Sequence, residues 1–228
     1  MPYFYYDWTM ILVIPGLLLG LYAQFKVKST FDRYSRVRTK SGLTAEAAAR
    51  MLLSRGGSTN VTISRVNGSL TDHYDPSSKT LRLSDSVYGS DSVAAVGVAA
   101  HECGHALQEH DRYGLLKLRT ALVPVVNIGS SLYLPIFMAG LLFSWEPLQM
   151  VGILCFGLTL LFSLVTLPVE INASKRALGM LEGVLDAEEL QGAKAVLSAA
   201  ALTYLASVIS SALQLLRLIL ISRSRNRD

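Results

Sequence analysis

Long apolar runs alternate with polar stretches along this chain of 228 residues. About 20 consecutive apolar residues can cross a bilayer as one helix, and four runs come close to that length. They span residues 8–25, 121–143, 148–169 and 196–221. Only a tight turn at 144–147 separates the second run from the third, so these two predict a helical hairpin. The pattern indicates a multi-pass membrane protein.

The first run resembles a signal peptide in position but differs from one in its flanks. No basic residue precedes it, and Lys26 and Lys28 follow it, which is typical of a retained span with its N-terminus outside. Aromatic residues suited to a membrane interface lie at its start: Tyr3, Phe4, Tyr5, Tyr6 and Trp8. We therefore predict a transmembrane helix here.

The fourth run is interrupted by polar residues, which at membrane depth normally face protein or water. These are Thr203, Ser207, Ser210, Ser211, Gln214 and Arg217. We expect this helix either to line a cavity or to lie partly in the interface.

The polar segment 26–120 carries signals of both helices and strands. One helix is predicted from the N-cap Thr44 to a stop at Gly56–Gly57, and another over about 92–109. Strands are predicted at 61–66, 69–74 and 79–83. Asn67–Gly68 suits a two-residue hairpin turn, and 75–78 suits a second turn. The three strands therefore predict a small antiparallel meander.

Composition supports the membrane interpretation. Hydrophobic residues make up 51% of the chain against 17% charged, and the formal net charge is +4. Basic residues cluster beside the apolar runs, as they do on the cytoplasmic flank of membrane spans. Contact with membrane lipid is therefore expected, and nucleic-acid binding is not.

Cys103 and Cys155 are the only cysteines, so no disulfide framework is expected.

The predicted helix over 92–109 contains the motif His101-Glu102-Cys103-Gly104-His105. Side chains four residues apart project from one face of a helix, so His101 and His105 can hold a single ion. Glu102 lies one position further round, where it can take a proton from the attacking water as a general base. Buried His and Glu side chains would be costly on this apolar helix without a purpose. The motif predicts a hydrolytic Zn2+ site.

Catalytic zinc normally has three protein ligands and one open position, so a third ligand is needed. Asp111 and Glu109 are local candidates, but they could reach the ion only if the helix broke, and Gln108 is a good helix former. Glu170 is the better candidate. Pro168 is expected to begin a new helical turn that carries Glu170, and small residues after it would allow a close approach to the motif helix.

At this point the sequence resembles the membrane gluzincin peptidases, which include the CAAX prenyl endopeptidases and the bacterial heat-shock membrane proteases. More closely, three segments are similar to the bacterial neutral zinc metallopeptidase family of the membrane. They are Leu70-Thr71-Asp72-His73-Tyr74-Asp75-Pro76, Val98-Ala99-Ala100-His101-Glu102-Cys103-Gly104-His105-Ala106 and Glu170-Ile171-Asn172-Ala173-Ser174. The similarity runs over about 22–218, nearly the whole chain.

This resemblance implies particular roles for the motif residues. It implies that His101 and His105 are zinc ligands, that Glu102 is the catalytic base and that Glu170 is the third ligand. The prenyl-peptidase branch carries Asp where this chain has Ser174, so a hydroxyl replaces a carboxylate beside a ligand histidine. We then expect another group to orient that histidine, with Asn172 as the candidate.

Three further residues have open assignments. His73 and Tyr74 point to opposite faces of a strand, so at most one of them can face the site and stabilise the oxyanion. Either could equally be a polar strand residue bonded to its neighbours. Arg176 lies one helical turn after Asn172, where it would either brace Glu170 or flank the membrane.

Taken together, the patterns predict an α+β membrane protein. A helical transmembrane bundle would carry a zincin-like catalytic helix and a small antiparallel sheet. The expected domains are an N-terminal transmembrane helix (1–25), a catalytic domain (26–120), a transmembrane hairpin (121–169), a region carrying the third ligand (170–195), and a C-terminal transmembrane or cavity-lining helix with a basic tail (196–228).

The expected activity is zinc-dependent endoproteolysis of membrane-associated or unfolded protein substrates in the bacterial plasma membrane. The substrate would add as a strand to the exposed sheet edge. Basic residues at 26–40, 112–119 and 175–194 flank one side of the spans, so the positive-inside rule places the catalytic segment in the cytoplasm. Two alternatives are open: a metal-binding membrane transporter, against which Glu102 argues, and a non-catalytic scaffold with core histidines.

Overall fold

The structure, a computed structural model, describes residues 8–225; the aromatic residues before Trp8 and the tail residue Arg227 lie outside the described residues. A short 3-10 helix, Trp8–Leu12, leads into helix α1 (Val13–Tyr34), and α2 (Ala45–Arg55) follows. Three strands come next: β1 (Thr62–Val66), β2 (His73–Asp75) and β3 (Thr80–Ser84). Four helices complete the described chain: α3 (Val93–His110), α4 (Gly114–Leu142), α5 (Glu146–Leu181) and α6 (Ala187–Arg225).

Four helical segments of residues 8–225 are long and apolar enough to cross a membrane. They are Trp8–Tyr34, Gly114–Leu142, Glu146–Leu181 and Ala187–Ser224. Three of them contain a predicted apolar run and extend beyond it, and Gly114–Leu142 covers the run 121–143 except for its last residue. The α+β class with four candidate membrane-spanning helices is therefore confirmed.

Contacts divide the chain into two compact units. The described part of the first consists of segments of the long helices, the short 3-10 helix before α1 and the turn between α4 and α5. Its described residues are 8–22, 118–167 and 203–225. Phe137, Ile153, Phe156 and Leu218 form its core, while many large apolar side chains on the same helices are exposed, as lipid-facing residues are. This unit has the composition of a membrane bundle.

The second unit contains residues 23–117 and 168–202, and α3 is its central element. Most residues of α3 are buried, because small side chains let other elements approach it closely. Cys103 contacts the carbonyl of Ala49 on α2, and a methyl group at Gly97 would lie 3.3 Å from Ala193 on α6. Cys103 therefore packs as a small buried residue.

The ends of α2 and α3 follow the predicted capping signals. The Thr44 hydroxyl accepts a hydrogen bond from the backbone of Ala47 at 3.3 Å, and Ser92 does the same for Ala95 at 3.2 Å. Such caps satisfy amides that have no partner within the helix. Gly56 ends α2, and the next residue, Gly57, has a positive φ of 75°.

The sheet has three strands in the order β1-β3-β2, and this corrects the predicted antiparallel meander. Strand β1 pairs in parallel with β3, while β2 pairs with β3 in the antiparallel sense. The hairpin predicted at Asn67–Gly68 does not form, because the loop after β1 is tied to the end of β3. The Asp85 carboxylate accepts a hydrogen bond from the backbone of Gly68 at 3.0 Å, and the Asp72 carboxylate accepts one from Ser84 at 2.7 Å.

The turn predicted at 75–78 does form, and it joins β2 to β3. The Asp75 carboxylate accepts hydrogen bonds from the backbone of Ser77 and from the hydroxyl of Ser78, at 2.9 and 2.7 Å. As a result β2 is an outer strand, and no other strand among residues 8–225 pairs with its second edge. Strand β2 also contacts α3.

Helix α5 is continuous through Pro168, and this corrects the expectation of a new helical turn there. Glu170 therefore extends from the interior of one long helix. The predicted close approach of small residues is present: a Cβ atom at Gly104 of α3 would clash with the carbonyl oxygen of Ala173 on α5. Because Ala173 is fully buried and its backbone cannot move aside cheaply, the two helices touch at their backbones.

This contact predicts opposite effects for two Gly→Ala substitutions. Gly104→Ala should destabilise the protein by about 1–3 kcal/mol, the usual cost of overpacking a tight interior. Gly179→Ala on α5 is the matched control, because no atom lies within 4 Å of the added methyl group and alanine favours helix over glycine by about 1 kcal/mol. Thermal unfolding of both variants in detergent measures the difference. Equal midpoints would contradict the backbone contact.

Candidate metal centre

His101 and His105 occupy consecutive turns of α3, and Glu170 faces both of them from α5. Nε2 of His101 and Nε2 of His105 lie 3.1 and 3.4 Å from the same oxygen, Oε2, of Glu170. The two imidazole rings meet edge to face with their centres 4.8 Å apart. Glu170 is only 2% exposed. Three residues from two helices thus converge on one point.

These three side chains fit a zinc ion. Two imidazole nitrogens and a carboxylate oxygen are a common ligand set of catalytic zinc, in which each ligand atom lies about 2.0–2.2 Å from the ion. Ligand atoms at those distances in a tetrahedron are about 3.3–3.5 Å from one another. The spacings to Glu170 are close to this, and the donor atoms of the whole group lie within 4.8 Å of one another.

Glu102 is buried on α3 beside this group but is not a member of it. Its Oε2 accepts a hydrogen bond from the backbone N–H of Tyr74 at 2.9 Å. Tyr74 lies on β2, the outer strand with the unpaired edge. The backbone of this strand therefore holds the Glu102 carboxylate next to the two histidines.

The second partner of His101 is Ser174. This differs from the expectation that a group other than the Ser174 hydroxyl would orient the histidine. The Ser174 hydroxyl lies 3.1 Å from Nδ1 of His101. It sits one helical turn after Glu170 on α5, so the same helix face reaches both nitrogens of the ring. Asn172, the expected alternative, does not serve His101; its contacts are with Gln108 and Arg176.

His105 is oriented by Gln108. The sequence analysis had assigned no site role to this residue. Nδ1 of His105 lies 3.0 Å from Oε1 of Gln108. The Gln108 side chain is fully buried, and its Nε2 donates to the carbonyl of Val169 at 2.8 Å and to Oδ1 of Asn172 at 3.0 Å. The spacing of His101, His105 and Gln108 at i, i+4 and i+7, one face of a helix, is the signal that could have revealed it.

Arg176, Asp111 and Glu109 take positions around the site without joining the metal group. Arg176 donates to Oδ1 of Asn172 at 2.9 Å and forms an ion pair with Asp111. Arg176 thus braces Asn172, rather than Glu170 as one expectation held. Glu109 accepts a hydrogen bond from the hydroxyl of Tyr74. The metal group found among the described residues contains neither of the two local candidate ligands.

His73 and Tyr74 point to opposite faces of β2, as their strand positions predict. Tyr74 is paired with the buried Leu81, and its hydroxyl is engaged by Glu109. His73 is exposed, and its ring contacts the carbonyl of Thr71 at 2.8 Å and Arg82 at 3.4 Å. Of the two residues, Tyr74 is the one that approaches α3, and its backbone rather than its hydroxyl reaches Glu102. A role of either side chain at the oxyanion stays a prediction.

The site attracts positive charge. Burial disfavours protonation of His105, but its hydrogen bond with Glu170 and the negative charge of Glu102 outweigh burial and raise its pKa. A metal ion needs the neutral imidazole. Because a raised pKa keeps the proton on His105 to a higher pH than usual, protons would compete with an ion at this site, and metal binding would weaken as the pH falls. Burial, followed by the contact with Glu109, also raises the pKa of Tyr74, which stays a neutral hydroxyl.

Comparison with known proteins agrees with this geometry. Residues 9–223 match the model of a family described as "putative neutral zinc metallopeptidase". The chain is 45% identical over 214 residues to the "putative membrane protease YugP" of Bacillus subtilis (strain 168), an alignment that covers 93% of this chain and 95% of the relative. No solved structure matches the chain. With a family match over nearly its whole length and a relative at this identity, the chain belongs to the neutral zinc metallopeptidase family of membrane proteins.

Proposed function

We propose that this protein is an integral membrane zinc endopeptidase that hydrolyses peptide bonds of membrane-associated or unfolded protein substrates. The observation that carries the proposal is the convergence of His101, His105 and Glu170 with the Glu102 carboxylate beside them. Two helices and the outer strand of the sheet contribute to this arrangement. It provides metal ligands and a separate base, which together are the parts a hydrolytic zinc site needs.

Each residue of the site has a defined task in this proposal. A bound zinc ion would supply Lewis-acid polarisation of the scissile carbonyl and would acidify water. His101, His105 and Glu170 would hold the ion, with Ser174 and Gln108 fixing the imidazoles from their other nitrogens. Glu102 would take a proton from the attacking water and later pass it to the leaving amine. Its contact with the Tyr74 amide aims the carboxylate while leaving its second oxygen for this proton transfer.

The unpaired edge of β2 supports an endopeptidase rather than a hydrolase of small molecules. An extended peptide can add to an exposed strand edge through main-chain hydrogen bonds, which depend little on the side-chain sequence. The Tyr74 amide at this edge already donates to Glu102, so it is not available to an added strand. A peptide that bonds to the remaining main-chain groups of the edge would pass beside the proposed base. This arrangement suits unfolded or extended protein segments as substrates.

The position of Glu102 also bears on the alternative of a metal transporter. A transport site needs ligands that exchange the ion along a path, and it has no use for a buried carboxylate that stands outside the ligand group and is aimed by a strand amide. The scaffold alternative leaves two histidines and a glutamate buried together without an ion, an arrangement that costs desolvation of the charged groups. Hydrolysis uses every one of these residues.

We further propose a plasma-membrane location with the site on the cytoplasmic side. The second unit, which holds the site, contains the basic stretch from Lys26 to Lys40 and the basic residues 175, 176 and 194. The turn between α4 and α5 at residues 143–145 has none. Positive charge concentrates on cytoplasmic flanks, which supports this orientation.

Glu102→Gln is expected to keep zinc and lose peptidase activity. The substitution removes the base but leaves the three proposed ligands in place, so turnover should fall about 10²- to 10⁴-fold, the range for loss of a general base. Zinc content by atomic emission and cleavage of an unfolded protein substrate measure the two effects. Glu109→Gln, two turns further along the same helix, is the matched control and should retain turnover. Equal turnover in the two variants would contradict the role of Glu102.

Glu170→Ala is expected to lower the zinc content of the purified protein, whereas Asp111→Ala should leave it unchanged. The reason is that Glu170 contacts both histidines while Asp111 is paired with Arg176 outside the group. Zinc titration against a chromophoric chelator compares the variants. If Asp111→Ala strips the metal and Glu170→Ala keeps it, the ligand set must be sought on α3 alone.

Cysteine labelling of intact cells tests the orientation of the site. In a background with Cys103 and Cys155 replaced by alanine, single cysteines at the exposed positions Asn67 and Trp145 are treated with a membrane-impermeant maleimide. We expect labelling at 145 and none at 67 until the membrane is permeabilised. The reverse pattern would place the site outside the cytoplasm.

A further inference from the structure

Gln108 stands at a junction between the two helices that carry the metal group. Its side chain is fully buried, and it makes three hydrogen bonds within the second unit. Oε1 faces Nδ1 of His105 at 3.0 Å, while Nε2 faces the carbonyl of Val169 at 2.8 Å and Oδ1 of Asn172 at 3.0 Å. These contacts use both ends of the amide group.

Two partners on α5 decide which way the Gln108 amide points. The carbonyl oxygen of Val169 can only accept a hydrogen bond, so it requires the NH2 end of Gln108. Asn172 presents Oδ1 to the same NH2 group because that oxygen also accepts from Nε of Arg176 at 2.9 Å, and a guanidinium can only donate. Turning either amide over would set acceptor against acceptor or donor against donor.

With its NH2 end committed to α5, Gln108 can offer only an acceptor to His105. The proton of the neutral imidazole must then lie on Nδ1, where it donates to Oε1. The lone pair is left on Nε2, which faces Glu170 at 3.4 Å. The tautomer of a metal-binding histidine is commonly set in this way by the hydrogen bond of its other nitrogen.

We propose that Gln108 is a positioning residue that selects the metal-binding tautomer of His105, and that Val169, Asn172 and Arg176 fix its direction. The inference rests on the proposed zinc site and deepens it. His101 has the Ser174 hydroxyl at the equivalent nitrogen, and a hydroxyl can donate or accept, so it accommodates either tautomer. The chain thus holds one of its two histidines in a single tautomer and leaves the other adaptable.

Zinc affinity of a Gln108→Met variant tests the proposal against a matched control. Methionine has a similar length and offers Nδ1 only a weak thioether acceptor, so we expect the zinc dissociation constant to rise about 10- to 100-fold, the usual effect of losing a partner behind a ligand. Gln149→Met is the control. Gln149 is also fully buried and also donates its amide to a backbone carbonyl on another helix, that of Gly140 at 3.1 Å, but it lies in the first unit.

Competition with a chromophoric chelator on the full-length protein in detergent gives both affinities. Gln149→Met should bind zinc as the unmodified protein does, even if both variants unfold at lower temperature. An affinity in Gln108→Met equal to that of Gln149→Met would overturn the proposal. If the unmodified protein itself binds no zinc, the proposed function fails, and that result is distinct from a failure of the tautomer selection alone.

The Gln108→Glu variant tests separately the two kinds of hydrogen bond that Gln108 makes: the one it accepts from His105 and those it donates to α5. A carboxylate keeps an acceptor for Nδ1 but loses the donors to Val169 and Asn172, so zinc affinity should stay within about threefold of the original while thermal stability falls. The N–H proton of His105 gives a spectroscopic readout. The chain has four histidines, so nitrogen-15 labelling of histidine leaves few signals in the zinc-loaded protein.

Both ligand histidines would carry a proton on Nδ1 when Nε2 holds the ion, so the readout is the signal of His105. We expect its Nδ1–H to exchange slowly, to lose this protection in Gln108→Met and to regain it in Gln108→Glu. A merely structural role of Gln108 would make Gln108→Glu at least as damaging as Gln108→Met, because both lose the donors to α5 and the carboxylate also sets an acceptor against the Val169 carbonyl. Equal zinc affinity and equal loss of the signal in Gln108→Met and Gln108→Glu would therefore overturn the proposal.

Discussion

Backbone contact between α3 and α5 is the constraint on which the candidate metal centre depends. Glu170 has to reach Nε2 of two histidines that belong to another helix, and its side chain is short compared with the usual distance of 8–10 Å between helix axes. The absence of a side chain at Gly104 and the small one at Ala173 let the backbones meet. Any larger residue at this contact would withdraw the carboxylate from the imidazoles.

Close packing has a second consequence, because polar groups removed from water need partners within the protein. The helix face of α5 that carries Glu170 supplies them: Ser174 reaches His101, while the carbonyl of Val169 and the amide of Asn172 hold Gln108 beside His105. The residues that satisfy burial are thus the residues that orient the imidazoles. The same hydrogen bonds therefore stabilise the contact between the two helices and orient the imidazoles toward a possible metal ion.

Helices and a strand contribute different groups to the site. The helices supply the three residues of the metal group, and β2 supplies a backbone amide to Glu102 and an unpaired edge. The loop after β1 is held by hydrogen bonds of Asp72 and Asp85. As a result β2 pairs with β3 at the outside of the sheet and does not pair with β1. In the proposed function, this topology is what places an extended substrate next to the base.

The sequence by itself determined much of this protein. The lengths of the apolar runs identified the four long helices, the Thr44 and glycine signals bounded α2, and the spacing of His101 and His105 put both on one helix face, because helix periodicity and bilayer thickness are local properties. Glu170 could be singled out by its small neighbours and by family resemblance, although the new helical turn expected to begin at Pro168 was wrong, because α5 continues through that residue.

Only the tertiary structure decided the strand order, the partners of each imidazole and the roles of Gln108 and Ser174. A hairpin signal at Asn67–Gly68 competes with side-chain bonds from Asp72 and Asp85 that act across the fold, and the sequence shows no such competition. Gln108 was noted only as a helix former, since its side-chain partners are a carbonyl and an amide 61 and 64 residues away. Hydrogen bonds between distant segments follow from how the helices pack, and local sequence does not specify that packing.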